Sequence, residues 1–451
     1  MKSTPFKIII GCLTIALAGQ SCTDLTEKTF DVIPTDQFGT TADQQAALIG
    51  PLYNGLGDYF GNMTNLNTVT DEQIVPTRGG DWKDGDNWVR LYTHTWDPTL
   101  DNNQFNGPWN WCYNNITKIN QQLNTISDEG TKAELRALRA FFHYEAMDMF
   151  GNVIIANQLT AGSPKQSTRP EVFAFVESEL LEVYPQLSPV SGGAYYGRMN
   201  RHVANMILAK LYLNAQVYTG TPRWADAITR CDSIINSGAF SLSADFLSTF
   251  AVNNQNSKEI ILATPFDKTK RTGFNFQMQT LHYLNQLTYN IGTAPWNGFA
   301  AVTEFYNSFD DKDARKKMWL VGQQYKADGT PLVDDNLPLA FTPEVTALAL
   351  PAGAAGRIQG ARNGKYEIQR NNPYTDQDND FVVFRLGDVY LMRAEANLRS
   401  GNTAAALTDV NVVRKRAGMP DFTTLTLDDM LAERGREIAW EYFRRQDLIR
   451  F

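Results

Sequence analysis

The length, composition and charge of the chain exclude several classes of protein. It has 451 residues, of which 43% are hydrophobic and 20% charged, so it can bury one large core or two ordinary ones. The chain has 41 Lys and Arg residues and 49 Asp and Glu residues, which gives a formal net charge of -8. This acidic balance provides no basic field for phosphate backbones, so a nucleic-acid-binding protein is excluded. Four cysteines and four histidines, without the spacing of a zinc site, exclude a disulfide framework and predict neither a metal ion nor another cofactor.

Residues 1–21 are predicted to be a signal peptide. Lys2 and Lys7 flank the start of an apolar stretch that is too short to span a bilayer. Small residues then lead to Cys22, which resembles the lipobox of bacterial lipoproteins and predicts that Cys22 carries a lipid anchor. Cleavage at another small residue, which would release the protein, is the alternative. Residues 22–41 are polar and predict an extended leader.

The chain after the leader begins with a predicted helix near Ala42, and a second clear helix is predicted over residues 133–150. Leu135, Leu138 and Phe142 fall on one stripe of this second helix, and Gly151 provides a C-cap. Four charged side chains are expected to face away from that stripe. They are Lys132, Glu134, Arg136 and Arg139.

A helix, turn, helix unit occurs twice in the sequence. Asn200 is a predicted N-cap for a helix that runs to Gly220, and a shorter helix follows over 224–237. The same unit is predicted over 388–400 and 404–417. Such units stack as tetratricopeptide repeats do, so we predict an all-α fold with a helical-repeat core.

Two stretches, residues 61–108 and 241–380, lack helical period and hold many glycines and prolines. Long loops in a compact domain are usually functional, so we predict a single domain over 42–451 that carries these stretches as irregular insertions. Near the end of the chain, Glu433, Glu437 and Glu441 follow one another at a spacing of four. Arginines surround them, and we expect one helix face that is joined to its neighbours by ion pairs.

Several motifs, in the same order along the chain, resemble the SusD/RagB family of outer-membrane lipoproteins from Bacteroidota. They are residues 22–25, 33–35, 46–53, 111–120, 134–142 and 150–153, then Phe384-Arg385-Leu386-Gly387-Asp388 through Ala396, 413–418, 433–441 and 444–450. The resemblance implies a tetratricopeptide-like core, a surface-exposed lipid-anchored protein and a TonB-dependent, SusC-like transporter as its partner. The resemblance also implies a further C-terminal segment, whereas the given sequence stops at Phe451, so we expect a fragment or an early stop. Arg139, Arg385 and Glu395 are expected to pair with neighbouring repeats.

Exposed aromatic side chains are the candidates for ligand contact. Sugar rings stack on indole and phenol rings, while neighbouring polar side chains bind the hydroxyl groups. The glycine-rich loop that follows residue 71 and the turn around residue 296 combine both features. The predicted ligand-binding residues are Asp71, Arg78, Trp82, Asn87, Trp88, Tyr283 and Trp296. For Trp82 and Trp296, burial in a core is the open alternative.

The sequence therefore predicts a non-catalytic surface protein that captures an oligosaccharide or polysaccharide and passes it to the transporter. Peptide cargo is one alternative. A glycan-degrading enzyme is another, although no P-loop, G-x-S-x-G or H-E-x-x-H motif is found. A scaffold that binds only proteins is a third. Asp376, Asp378 and Asp380 mimic a calcium loop but lack its glycine and glutamate, so a solvated acidic loop is expected. Cys112 and Cys231 are expected to be buried thiols.

Overall fold

The computed structural model describes residues 41–159, 162 and 164–451, so the predicted signal peptide and Cys22 lie outside the described residues. Helices dominate this part of the chain, as predicted. The helices are α1 (Ala42–Leu56), α2 (Tyr59–Leu66), α3 (Asn87–Tyr92), α4 (Asn102–Leu123), α5 (Glu129–Phe150), α6 (Arg169–Val183), α7 (Arg201–Leu213), α8 (Ala215–Thr219), α9 (Trp224–Ile235), α10 (Phe276–Thr280), α11 (Asn285–Tyr289), α12 (Thr303–Asn307), α13 (Ala354–Arg357), α14 (Leu386–Arg399), α15 (Thr403–Arg416), α16 (Leu427–Glu437) and α17 (Arg444–Arg450).

The strands are short and pair two by two. They are β1 (Gln73–Ile74), β2 (Thr77–Arg78), β3 (Ile260–Thr264), β4 (Ala300–Ala301), β5 (Trp319–Leu320), β6 (Gly322–Gln323), β7 (Val333–Asp334), β8 (Leu337–Pro338), β9 (Ala340–Phe341), β10 (Ala349–Leu350), β11 (Arg362–Asn363) and β12 (Phe381–Arg385). The antiparallel pair β3 and β12 is fully buried and lies in the core. Most of the other strands lie in the irregular chain between α9 and α14. That this stretch is an insertion into the helical domain stays a prediction.

The helix α5 confirms the amphipathic pattern and begins four residues earlier than predicted. The side chain of Asp128 accepts a hydrogen bond from the amide of Thr131 at 2.8 Å, which caps the first turn. At the other end Gly151 has a φ of 78°, so the glycine serves as the predicted C-cap. Leu135 and Phe142 are fully buried.

Two charged residues of α5 that we expected to face away from the core, Glu134 and Arg139, are buried. Glu134 forms an ion pair with Arg198 at 2.6 Å, and Arg139 forms one with Glu179 of α6 at 2.6 Å. Pairing offsets part of the desolvation of each charge, which explains why the polar pattern misled the prediction. The expected pairing of Arg139 with a neighbouring helix is thereby confirmed.

The two helix pairs form and pack against each other. The side chain of Asn200 accepts hydrogen bonds from two amides at the start of α7, as predicted. The predicted helix is interrupted at Asn214, so that α7 ends and the short α8 continues to Gly220. Within the pairs, α7 packs on α9 and α14 packs on α15, and α9 in turn packs against α14. This side-by-side stacking fits the helical-repeat core.

A buried network of ion pairs joins the C-terminal helices. Glu437 binds Arg385 at 2.6 Å and Arg315 at 3.0 Å, and it also contacts Arg416. Burial alone would raise the pKa of Glu437, but these guanidiniums outweigh it and hold that pKa well below its ordinary value. Glu441 does not continue the helix face, because α16 ends at Glu437, yet it still binds Arg385 at 2.7 Å.

One large hydrophobic cluster contains most of the buried apolar side chains of residues 49–451. Cys112 and Cys231 are free thiols in its interior, as expected, and burial raises the pKa of both. Among the residues that the structure describes, none of the helices combines the length and apolar character needed to cross a bilayer.

Candidate functional site

Five of the seven side chains predicted to bind ligand lie in one region. They are Arg78, Trp82, Trp88, Tyr283 and Trp296. The indole Nε1 of Trp82 donates a hydrogen bond to the backbone carbonyl of Trp296 at 2.6 Å, which joins segments that are 214 residues apart. The ring centroids of Trp82 and Trp88 are 5.6 Å apart. The structure thus brings the two predicted aromatic loops together.

The half-buried ring of Trp82 lies directly against the backbone of the second loop. A Cβ added to Gly298 would lie 2.3 Å from this indole, so only glycine leaves room for the ring. Phe299 supports the same ring at a centroid distance of 5.3 Å. Trp82 itself has a φ of 60°, an uncommon conformation for a bulky residue, and such strain is typical of functional sites.

Trp88 lies beneath Trp82 and is only 6% exposed. Its Nε1 donates to the carboxylate of Asp84 at 2.7 Å, and its ring packs on Phe299 at 5.4 Å. This burial is at odds with the predicted ligand contact. Trp88 instead supports the ring of Trp82 from inside the protein.

Trp296 presents its side chain to solvent and is 38% exposed. Its backbone amide donates to the carbonyl of Met278 at 2.6 Å, and the amide of Gly298 donates to the carbonyl of Gln279 at 2.9 Å. The turn that carries Trp296 is therefore fixed to the segment that contains α10, while the ring itself stays accessible.

Tyr283 and Asp81 add polar groups beside these rings. The hydroxyl of Tyr283 donates a short hydrogen bond to the carboxylate of Asp81, which is exposed. Burial, together with this carboxylate, raises the pKa of Tyr283 to about 12, so the hydroxyl keeps its proton at neutral pH. Asp81 is not among the residues that the sequence predicts to bind ligand. We call the set Asp81, Trp82, Tyr283 and Trp296 the tryptophan site.

Arg78 lies behind the tryptophan site and is only 3% exposed. Its guanidinium donates to the carbonyls of Asn297 at 3.0 Å and Gly356 at 2.7 Å. Burial lowers the pKa of Arg78 below its ordinary value. The predicted direct contact of Arg78 with ligand does not fit this position, because its polar atoms face the interior.

Within the part of the chain that the structure describes, no hydrogen bond, ion pair or ring contact joins Asp71 or Asn87 to the tryptophan site. Asp71 forms a two-pronged ion pair with Arg444 of α17, with both distances at 2.7 Å. Asn87 begins α3, and its buried side-chain oxygen has no hydrogen-bond partner among the described residues. Asp71 lines a cavity of about 590 Å³ instead. The other residues of that lining are Val69, Thr70, Tyr92, His94, Val302, Glu304, Phe305, Ser308, Ala432, Arg444 and Leu448.

An apolar depression of about 510 Å³ adjoins this cavity, and the two share Val69, His94 and Leu448. Trp96, which is 44% exposed, lines it together with Phe105. Neither of these two concavities is lined by a residue of the tryptophan site. We favour the tryptophan site, because it combines an exposed ring with an accessible carboxylate and hydroxyl, whereas Asp71 is held by Arg444.

The expectation of a solvated acidic loop over residues 376–380 is wrong for Asp380, which is buried, and the loop has structural roles. Asp378 accepts a hydrogen bond from the amide of Lys268 at 2.9 Å, and Asp380 accepts one from the amide of Phe266 at 2.9 Å. Within residues 41–159, 162 and 164–451, no group of three or more His, Cys, Asp or Glu side chains could hold a metal ion.

These observations define a predominantly helical protein whose stacked helix pairs fit a helical-repeat core and whose irregular chain presents aromatic side chains to solvent. Two family models match the sequence. One, described as "SusD family", matches residues 355–451, and the other, described as "Starch-binding associating with outer membrane", matches residues 30–213. The chain belongs to the SusD family.

Relatives and solved structures agree with this assignment. The starch-binding protein SusD of Bacteroides thetaiotaomicron is 25% identical over all of this chain and 91% of its own length. A SusD-like protein of Bacteroides ovatus is 26% identical over all of this chain and 82% of its own length. Surface glycan-binding protein A from Bacteroides thetaiotaomicron in complex with laminarihexaose has a TM-score of 0.71 at 20% identity, over 91% of this chain and 90% of that one. A laminarin binding SusD-like protein has a TM-score of 0.72 at 22% identity, over 90% and 91% of the two chains. The structural likeness shows the fold.

Proposed function

We propose that this protein binds an oligosaccharide or polysaccharide at the tryptophan site, without chemistry of its own, and delivers it to a TonB-dependent transporter at the outer membrane. The single observation that carries the proposal is the exposed ring of Trp296 held beside Trp82. The names of its relatives, which include a starch-binding and a laminarin-binding protein, support a carbohydrate as the ligand.

The chemistry of the tryptophan site suits a sugar. One face of a pyranose ring carries C–H groups that stack on an indole such as that of Trp296. Its hydroxyl groups would donate to the exposed carboxylate of Asp81 and exchange hydrogen bonds with the hydroxyl of Tyr283. A neutral sugar suits this arrangement better than an acidic one, because an anionic substituent would approach the charge of Asp81.

Binding without catalysis is the simpler proposal for these residues. Glycoside hydrolysis needs two carboxyl groups placed on either side of the scissile bond. The tryptophan site as defined contains one carboxylate, that of Asp81. Asp334, which lies 3.3 Å from the ring of His282, is paired with Arg357 at 2.7 Å. Release of reducing sugar from any bound glycan would contradict this part of the proposal.

Delivery at the outer membrane is supported by the predicted signal peptide and lipid anchor, and by the description of the family model that matches residues 30–213. The test is to express the full chain with its own signal in a Bacteroidota host and to label surface proteins on whole cells. Surface labelling that is lost in Cys22→Ala, together with co-purification of a TonB-dependent transporter, is expected. Retention of the protein inside the cell would overturn this part.

The binding proposal is tested by isothermal calorimetry on the chain without its signal peptide. Laminarihexaose and maltohexaose test two glucan linkages, and a set of neutral and acidic polysaccharides and a mixed peptide library complete the panel. Saturable heat with at least one glycan is expected. Saturable binding of peptide alone, in protein whose helical circular dichroism shows it to be folded, would replace the glycan proposal with peptide cargo.

A further inference from the structure

Asn297 occupies a central place directly behind the tryptophan site. It follows Trp296 in the chain, is fully buried, and has a left-handed backbone with a φ of 55°. Asparagine adopts this conformation more readily than most other residues, because its short side chain can form local hydrogen bonds. The side chain here is used otherwise, since its amide nitrogen donates to the carbonyl of Arg357 at 3.3 Å.

Two buried arginines converge on Asn297 from different strands. Arg78, at the end of β2, donates to the backbone carbonyl of Asn297 at 3.0 Å. Arg362, in β11, donates to the side-chain oxygen of Asn297 at 2.8 Å and to the carbonyl of Arg357 at 2.7 Å. The turn that carries Trp296 is thus held through both its backbone and its side chain.

Neither of these guanidiniums has a carboxylate partner among the ion pairs of the described residues. Arg78 donates only to carbonyl groups, and Arg362 donates to carbonyl groups and to the amide oxygen of Asn297. A buried charge without a counter-ion is costly, and burial lowers the pKa of both arginines. Arginines elsewhere in the fold, such as Arg385, are surrounded by carboxylates. The contrast points to a task other than stability.

We propose that Arg78 and Arg362 are positioning residues that act through Asn297. They hold the 296–298 turn in its binding-ready conformation before any ligand arrives, and Arg78 itself does not touch the ligand. This inference rests on the proposed function, because the turn is useful only if Trp296 binds sugar. A preformed site avoids the entropy that ordering a loop would otherwise subtract from affinity.

The variants Arg78→Lys and Asn297→Gly test the two halves of this arrangement. A lysine keeps the charge but cannot bridge two carbonyls as the planar guanidinium does. Glycine accepts the left-handed backbone of residue 297 but removes the side chain that Arg362 binds. Because either variant could fail to fold, each is first compared with the wild type by thermal unfolding and helical circular dichroism, and the variant that folds is used.

The decisive readout is the ¹⁹F spectrum of ligand-free protein labelled with 5-fluorotryptophan, in which Trp296→Phe identifies the resonance of Trp296. We expect one sharp Trp296 resonance in the wild type and a shifted, broadened or split one in each variant that folds. Glycan affinity should fall about tenfold, which corresponds to about 1.4 kcal/mol. Saturating glycan should restore a single resonance. Arg201→Lys is the matched control, because Arg201 also donates to a carbonyl, that of Pro185, at 2.6 Å.

The outcomes separate the inference from the proposed function. If Arg78→Lys weakens glycan binding but leaves the Trp296 resonance unchanged, Arg78 contacts the ligand directly. If Arg78→Lys changes neither the binding nor the resonance, Arg78 has no role in the site. Either result would overturn the inference. A changed resonance in Arg201→Lys as well would also overturn it. If the wild type binds no glycan, the proposed function fails, while the ligand-free spectrum still decides whether Arg78 and Asn297 position Trp296.

Discussion

Replacement of Trp296 by alanine gives the most direct measure of the tryptophan site. Its side chain is 38% exposed, and a tryptophan buries at most about 250 Å², so about 95 Å² of its surface is open to a ligand. Burying that area is worth about 2.4 kcal/mol at about 25 cal/mol per Å². A sugar that covers half of it would gain about 1.2 kcal/mol. Trp296→Ala should therefore weaken glycan binding by about 8-fold to about 50-fold.

The assay is calorimetric titration with the tightest-binding glycan of the panel, and the matched control is Trp96→Ala. Trp96 is exposed to a similar degree, at 44%, but it lines the apolar depression away from the tryptophan site. We expect the control to bind as the wild type does. If Trp96→Ala loses affinity while Trp296→Ala retains it, the ligand binds at the other depression and the reasoning is refuted.

Three further predictions concern the packing and the charges around this site and the core. A Cβ on Gly298 would lie 2.3 Å from the indole of Trp82, whereas one on Gly61 meets nothing within 4 Å. The glycan affinity of Gly298→Ala, measured by calorimetry, should therefore fall about tenfold, while Gly61→Ala should bind as the wild type does. Equal affinities of the two variants would contradict the close contact between Gly298 and the ring of Trp82. Glu437→Gln removes the carboxylate that the buried Arg315 and Arg385 share. The free energy of unfolding, measured in urea, should therefore fall by about 3–5 kcal/mol. A loss below about 1 kcal/mol would contradict a stabilising role of this ion-pair network. Burial raises the pKa of Glu72 from 4.5 to about 8, so the folded protein retains a proton there that the unfolded chain releases, and stability should fall as pH rises through this window. In urea titrations, the free energy of unfolding of Glu72→Gln minus that of the wild type should therefore increase between about pH 5 and about pH 8. A difference that does not change with pH would show that Glu72 is ionised in the folded protein.

The helices could be predicted because their signals are local. The side chain of Asn200 caps α7 within three residues, and Gly151 ends α5 in the conformation that glycine favours. The errors within helices came from partners that are distant in sequence. Glu134 is buried because Arg198, 64 residues later, neutralises it, and no periodicity in α5 reveals such a partner.

The candidate site was harder to predict because its residues meet only through long-range contacts. Polar neighbours in the sequence suggested that Trp88 is exposed, whereas the fold places it under Trp82. Asp71 stands only seven residues before Arg78 in the chain, yet an ion pair with Arg444 holds it at another cavity. The exposure of Trp296 could be anticipated from the proline and glycine turn around it, although its contact with Trp82 could not.

The hydrogen bond between Trp82 and the carbonyl of Trp296 also links ligand binding to the folding of the whole chain. The two segments are 214 residues apart, and several helices of the core lie between them in the sequence. A partly folded chain, or one still emerging from the ribosome, cannot present both rings, so under the proposed function only fully folded molecules would bind glycan. Ligand in turn shifts the folding equilibrium toward the native state, by about 2.7 kcal/mol at a hundredfold excess over Kd. Under the proposed function, the protein would thus resist proteolysis best while its glycan is bound.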